Sequence, residues 1–244
     1  MRSTYAFVLV SALAASAAQA ADGPRVTVSL NGVFAPSSIT FESARTFDAF
    51  AEEGRIDASY DAGSGPGFEA GLVFNFTRSL GVSLAGGIVS RDTAADYTTS
   101  VPHPLFLNRN RTAEGTVDNV DYKESQVHLD LVYTGRSGSF DFSIFAGPTF
   151  MSLTADVLGQ PAYDQSYPFE TITVTNVPAL SRDDTGFGFN AGAGVGYRFS
   201  DRVGVGVQGR FSRATMELVQ DDGQDTVQID AGGFQVAGGL RIYF

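Results

Sequence analysis

The chain has 244 residues, no cysteine, a single lysine (Lys123) and a formal net charge of −11. Without cysteine neither a disulfide framework nor a thiolate metal site can form, and so acidic a chain is excluded from nucleic-acid binding, which needs basic patches that release counterions. Beyond the N-terminus no run of about 18 apolar residues occurs, so if this chain crosses lipid it does so with strands closed into a barrel.

The chain opens with Met1-Arg2, an apolar run from Tyr5 to Ala18 and the small-x-small sequence Ala18-Gln19-Ala20. That is the pattern of a signal peptide over residues 1–20, and it implies export of a mature domain over 21–244. Hydrophobic residues then recur with period two, the signature of strands. Val26, Val28 and Leu30 alternate with Thr27, Ser29 and Asn31. Phe68, Ala70, Leu72, Phe74 and Phe76 alternate with Glu69, Gly71, Val73 and Asn75, and after the turn Thr77-Arg78-Ser79-Leu80 the pattern resumes at Val82, Leu84, Gly86 and Ile88. A second hairpin runs from Val127, Leu129, Leu131 and Tyr133 through Gly135-Arg136-Ser137-Gly138 to Phe140, Phe142 and Ile144. A third runs from Phe187 and Phe189 to Tyr197 and Phe199, turns at Ser200-Asp201-Arg202, and continues with Val203, Val205 and Val207. The closing strand carries Phe234, Val236, Gly238, Leu240, Ile242 and Phe244, which makes eight strands in all.

The connections alternate in length: three tight turns against long polar segments at roughly 35–66, 92–121, 155–184 and 218–226. Short periplasmic turns and longer outside loops characterise outer-membrane barrels. The aromatics support the same reading, since Phe187 and Phe189 precede Tyr197 and Phe199 by 8 to 12 residues and Phe234 precedes Phe244 by 10. A tilted strand of about ten residues rises through roughly the height of the apolar band between two aromatic girdles. The expected fold is therefore all-β, a transmembrane antiparallel up-and-down barrel of about eight strands in a Gram-negative type outer membrane, with outer-membrane lipid around it.

With these strands and the terminal segment Gly238-Gly239-Leu240-Arg241-Ile242-Tyr243-Phe244, the chain resembles the eight-stranded outer-membrane barrel families, the OmpA-like transmembrane domain and the porin-like opacity proteins. The resemblance covers residues 25–244. It implies that Phe244 is part of a C-terminal assembly signal through which the last strand engages the barrel-insertion machinery. No peptidoglycan-binding domain follows the barrel in this sequence, so the resemblance does not imply a cell-wall tether.

If the apolar parity faces lipid, then Glu69, Arg91, His128, Asp130, Asp141, Arg198, Gln208, Arg210, Gln235 and Arg241 point inward. Eight strands leave a lumen just wide enough for side chains to fill. The eight ionisable members of this set are expected to pair as a luminal plug, in two layers with Asp141, Arg198 and Arg241 near the periplasmic end and Glu69 and Arg91 toward the outside. Gly204-Val205-Gly206-Val207-Gln208-Gly209 matches GxGxxG in letters, but its glycines alternate inside a strand, where they make room for side chains from other strands and do not cradle a dinucleotide. His128 and Asp130 share one strand face, the spacing of a base and its orienting carboxylate, yet a hydrogen-bonded luminal histidine is the stronger expectation. Pro148 cannot donate to a ladder, so a bulge or a strand end beyond the membrane is expected there, and the facing of Phe145 and Met151 depends on which.

The outside segments are expected to form a mutually packed or solvated crown. The first is acidic, with Ile39-Thr40-Phe41 suggesting strands beyond the bilayer; the second carries His103, Arg109 and Arg111, and the third Tyr163, Tyr167 and Phe169. Asp221, Asp222 and Asp225 could offer a divalent-ion cluster, though solvated carboxylates are the plainer reading. No cofactor, metal or catalytic residue is expected. The preferred role is structural or surface-interactive, with an extracellular ligand at the loops. The alternative is a narrow channel or transport of small or hydrophobic solutes, and the least supported is a lipid-modifying enzyme.

Overall fold

The computed structural model describes residues 25–219 and 226–244. The signal peptide expected over 1–20 and the acidic group Asp221, Asp222 and Asp225 lie outside the described residues. All twelve elements are strands: β1 (Val26–Ala35), β2 (Ile39–Ala49), β3 (Glu52–Ala62), β4 (Gly65–Asn75), β5 (Leu80–Pro102), β6 (Asn110–Ser137), β7 (Phe140–Leu158), β8 (Ala162–Asp164), β9 (Thr173–Asn176), β10 (Ala179–Arg198), β11 (Val203–Val219) and β12 (Thr226–Tyr243). Eight of them, β1, β4, β5, β6, β7, β10, β11 and β12, close antiparallel into a ring. The first and last strands seal it from Thr27↔Tyr243 to Phe34↔Val236. Closure leaves no backbone donor or acceptor of the wall facing lipid unpaired along this seam.

The outward residues are those the period-two pattern selects. Phe74, Leu84, Leu131, Ile144, Phe189, Val207 and Leu240 all stand exposed on the outer face. Aromatics band it at two heights: Phe140, Tyr197 and Phe199 pack edge to edge near the short turns, with centroids 5.2 and 5.4 Å apart, and Phe189 lies 6.3 Å from Phe211 near the other rim.

The long polar segments are not loops for most of their length. β5 runs for 23 residues and β6 for 28, against the ~9–11 that cross a bilayer. Above the membrane their alternation changes sense. On β6 the outward row is apolar from Tyr133 to Val127 and then becomes Ser125, Lys123 and Asp121, while the inward row passes from Asp130 and His128 to Tyr122 and Val120. On β11 outward Val207 and Phe211 give way to Arg213 and Glu217, and inward Arg210 gives way to Ala214, Met216 and Leu218. The wall is thus apolar outside and polar inside within lipid, and the reverse in water.

β1 and β4 are too short, at 10 and 11 residues, to follow their neighbours upward. The β2–β3 hairpin takes their place. β3 pairs with the upper part of β5, from Arg55↔Ser100 to Ala62↔Thr93, where β4 occupies the lower part. The inward residues Phe41, Ile56 and Tyr60 then join Tyr122, Met151, Leu153, Met216, Leu218 and Ile229 in one buried apolar core above the membrane. β2 contacts β12 without a ladder, which leaves two unpaired strand edges facing each other.

Tyr60 is central to this crown. Its ring stacks on Phe41 at 4.4 Å, and its hydroxyl accepts from the Leu158 backbone N–H at 2.8 Å and lies 3.1 Å from Ser43 Oγ. Burial pushes its pKa above the ordinary 10.0, against the opposing pull of those two hydrogen bonds. The unfolded crown therefore ionises first as pH rises, so Tyr60 stabilises the crown fully below about pH 10 and progressively less above it. Crown unfolding followed from pH 9 to 12 should show this loss in the wild type, and the pH-dependent step should shrink in Tyr60→Phe; identical profiles would contradict it.

Pro148 produces no bulge. The β6–β7 register is the same on both sides of it, from His128↔Thr149 to Leu131↔Ala146, and β7 continues to Leu158. The β6 ladder omits only Leu129 and Asp130, and Asn190 donates into the gap, to the Gly147 carbonyl at 3.1 Å. Phe145 and Met151 both face inward and are buried.

Candidate functional site

Every one of the eight ionisable residues singled out in the sequence lies on the inner wall, but they form three levels where two were expected. In the middle, Arg210 on β11 spans the lumen. Its Nη2 lies 3.3 Å from Glu69 Oε2 on β4, and its Nη1 lies 3.2 Å from Asp130 Oδ2 on β6. Nη1 also donates to Asn190 Oδ1 at 2.9 Å, and the guanidinium sits 4.7 Å above the Phe145 ring. The carboxylates are further held by Gln208 Nε2 and Asn31 Nδ2, at 2.7 and 3.1 Å from Glu69 Oε1, and by Asn190 Nδ2 at 2.7 Å from Asp130 Oδ1. His128 and Asp130 are not joined to one another: His128 Nδ1 lies 2.8 Å from Thr149 Oγ1.

At the upper level Arg91 pairs with Glu124, a residue that sequence reasoning missed. Both side chains are fully buried, with Nε 3.6 Å from Oε1. Arg91 also donates to the carbonyls of Ser37, of Gly63 at 3.1 Å and of Gly232 at 3.0 Å. Glu124 accepts from Tyr122 Oη at 3.0 Å, Gln126 Nε2 at 2.8 Å and the Gly232 N–H at 3.3 Å. Gln235 belongs to the same network through Gln126, at 3.3 Å. These backbone partners lie where β1 leaves the wall and β12 loses its neighbour, so the buried pair closes that junction with hydrogen bonds the ladder no longer makes.

At the level of the short turns Asp141 accepts from Arg198 Nε at 2.5 Å and from Arg136 Nε at 3.3 Å, and Arg198 stacks on Tyr243 at 3.8 Å. Here the expected pairing fails for Arg241, whose side chain makes no ion pair or hydrogen bond among the described residues. Its side chain lies across a notch left by two glycines that are register partners on β10 and β11. A Cβ added at Gly206 would stand 2.1 Å from Arg241 Nε, and one at Gly196 3.0 Å from Nη1. Gly206 belongs to the GxGxxG-like stretch, which lies wholly within β11.

The outer tips converge. The β2–β3 turn, the 103–109 loop and the β8–β9 hairpin are tied by Asn108 N–H to Glu52 Oε1 at 2.8 Å, by Arg111 Nη1 to Gln165 Oε1 at 2.6 Å, and by an Arg109–Glu170 ion pair. Phe47, Val101 and Ile172 are buried beneath them. Leu105, Leu107 and Tyr167 are left 62%, 75% and 82% exposed on this cap.

The family model described as outer membrane protein beta-barrel domain matches residues 5–241. Among solved structures, the outer membrane protein OprG from Pseudomonas aeruginosa superposes with a TM-score of 0.54 at 9% identity, covering 91% of this chain and 96% of that one. Neisserial surface protein A superposes at 0.47 and 10% identity, over 92% and 100% of the two chains. No curated protein matches the chain in sequence. At such identities the likeness to OprG concerns the fold.

Proposed function

Since the chain belongs to the outer membrane protein beta-barrel domain family, we propose that it is a closed outer-membrane barrel that stiffens the envelope and presents a rigid apolar cap to a partner outside. The observation that carries this reading is the bridging of the lumen by Arg210 between Glu69 and Asp130, overlaid by the buried Arg91–Glu124 pair and the apolar core of the crown. A lumen filled by mutually hydrogen-bonded charges and capped by close-packed apolar side chains has no continuous aqueous path. His128 and Asp130 are engaged with different partners, so catalysis has no part in this reading. Outer-membrane lipid surrounds the apolar band, residues 1–20 serve as the export signal, and the β12 segment ending at Phe244 is the one offered to the insertion machinery.

The exposed Leu105, Leu107 and Tyr167 form the contact surface for an extracellular ligand with apolar character. In planar bilayers the refolded protein should be electrically silent; steady unitary currents would refute the closed lumen. Proteoliposomes carrying the wild type should be retained on an alkyl-coated surface, and those carrying Leu105→Ser/Leu107→Ser/Tyr167→Ser should not. Equal retention would refute the assignment of the cap.

A further inference from the structure

Below the Arg210 bridge the lumen opens into a cavity of about 350 Å³ that ends among the short periplasmic turns. Six arginines line it: Arg25 and Arg78 at the mouth, Arg136, Arg198 and Arg241 in the lower wall, and Arg210 in the roof. Only two carboxylates line it with them. Glu69 is held by Arg210, Gln208 and Asn31, and Asp141 is shared between Arg136 and Arg198. The side chains of Arg25 and Arg241 form no hydrogen bond or ion pair among the described residues. A chain with a net charge of −11 thus gathers a local excess of cations on the inner surface of one chamber. A walled cleft focuses such a field and concentrates counter-ions of opposite sign.

We propose that this chamber is a binding site for a small multivalent oxyanion, of the organic or inorganic phosphate class, entering from the periplasm. Three features of the chamber support this. The guanidinium fork matches the paired oxygens of phosphates and carboxylates. The Gly196–Gly206 notch receives Arg241, so that its guanidinium lies against the wall that lines the chamber. The walls add Val73, Ala85, Val132 and Phe142 beside the charges, and the volume falls in the range of small-molecule pockets. The multivalence follows from Arg25 and Arg241, whose side chains have no partner among the described residues: a monovalent anion would leave one of the two unmatched. The ring of strands encloses the chamber on all sides, so a soluble anion reaches it through the mouth, whereas a lipid phosphate would have to leave the bilayer to do so.

The test uses the full-length mature chain refolded in a non-ionic detergent, with folding of each variant checked by heat-dependent gel mobility. Pyrophosphate is titrated by calorimetry at constant ionic strength, with acetate and micelles of a short-chain phosphatidylglycerol as separate arms. Pyrophosphate should bind with a stoichiometry near one and acetate should not. Arg241→Gln should weaken pyrophosphate about tenfold or more, as expected for a lost charge-assisted hydrogen bond, and Arg241→Lys should restore it only in part. Gly206→Ala, which keeps every charge but places a Cβ against the guanidinium, should weaken it as well. Arg213→Gln, on the outer face of the crown, should leave it unchanged. The proposal is overturned if acetate competes as well as pyrophosphate, if only the phosphatidylglycerol micelles give heat, or if folded Arg241→Gln and Arg241→Lys bind like the wild type.

Discussion

Arg210→Ala should lower the stability of the barrel by about 3–5 kcal/mol, the loss expected when one partner of a buried ion pair is removed and the other charges stay behind. Two carboxylates depend on it, Glu69 and Asp130, which are 5% and 2% exposed and stand on β4 and β6, across the lumen from β11. Without the guanidinium both lie in a low-dielectric interior with only amide donors, Gln208 and Asn31 on one side and Asn190 on the other. The urea midpoint should fall and the heat-dependent gel shift should move to lower temperature, while bilayers stay silent, because the Arg91–Glu124 pair and the crown core still close the lumen above. Removing the carboxylates' charges together with the arginine, as Arg210→Met/Glu69→Gln/Asp130→Asn, should recover most of the stability, since an apolar replacement leaves no unmatched charge. If Arg210→Ala melts like the wild type, the middle level does not stabilise the barrel.

Arg91→Ala is expected to act by a different route and to give a different phenotype. The change strands the fully buried Glu124 and removes the donor to three backbone carbonyls, those of Ser37, Gly63 and Gly232. A loss of about 3–5 kcal/mol follows from the buried charge alone. It should fall on the crown rather than on the membrane ring, because two of the three carbonyls flank the β2–β3 hairpin at its ends. We expect the hairpin to detach while the eight-stranded ring persists: a protease added outside should cut near Phe50 and Ala51, where the backbone turns with positive φ, and the gel mobility of the membrane domain should be retained. Loss of the whole barrel at the same denaturant concentration would show that crown and ring form one cooperative unit.

The contrast between the two residues also shows where the sequence was informative. Within the bilayer the lipid-facing row is long, aromatic and of constant parity, so the eight strands, the three short turns and the inward facing of Arg210, Asp130 and Glu69 could be read directly from Phe68 to Phe244. Above it the same period two persists, but with polar residues outward and apolar ones inward, and Asp92, Asp96, Asp118 and Asp121 made the stretch look like solvated loop. The parity is interrupted as well, by the shift at Thr93/Ala95 and by Asn119 with φ of 57°. The change in character alone hid Glu124, since the parity runs unbroken from Asp130 through His128 and Gln126 to it. Arg241 was legible as luminal, but not its lack of a carboxylate, since pairing across a lumen depends on stagger between strands that one sequence does not display. The glycine notch was legible in kind, because alternating glycines on an inner wall imply that something from another strand occupies the space.

The change in sense of the alternation fixes the height at which the protein floats. The outward apolar rows stop at Ile88, Val127, Phe150, Phe187, Phe211 and Phe234, and within four residues come Asp92, Lys123, Thr154, Asp183, Arg213 and Asp230. Sliding the barrel inward would drag this polar collar into hydrocarbon, at up to ~2–4 kcal/mol for each cationic residue that reaches the midplane and less near the surface. Sliding it outward would lift the lower aromatics, Phe140, Tyr197 and Phe244, from their interface. The barrel is therefore a depth gauge: when the surrounding bilayer is thicker or thinner than the band between collar and girdle, the lipid adjusts to the protein.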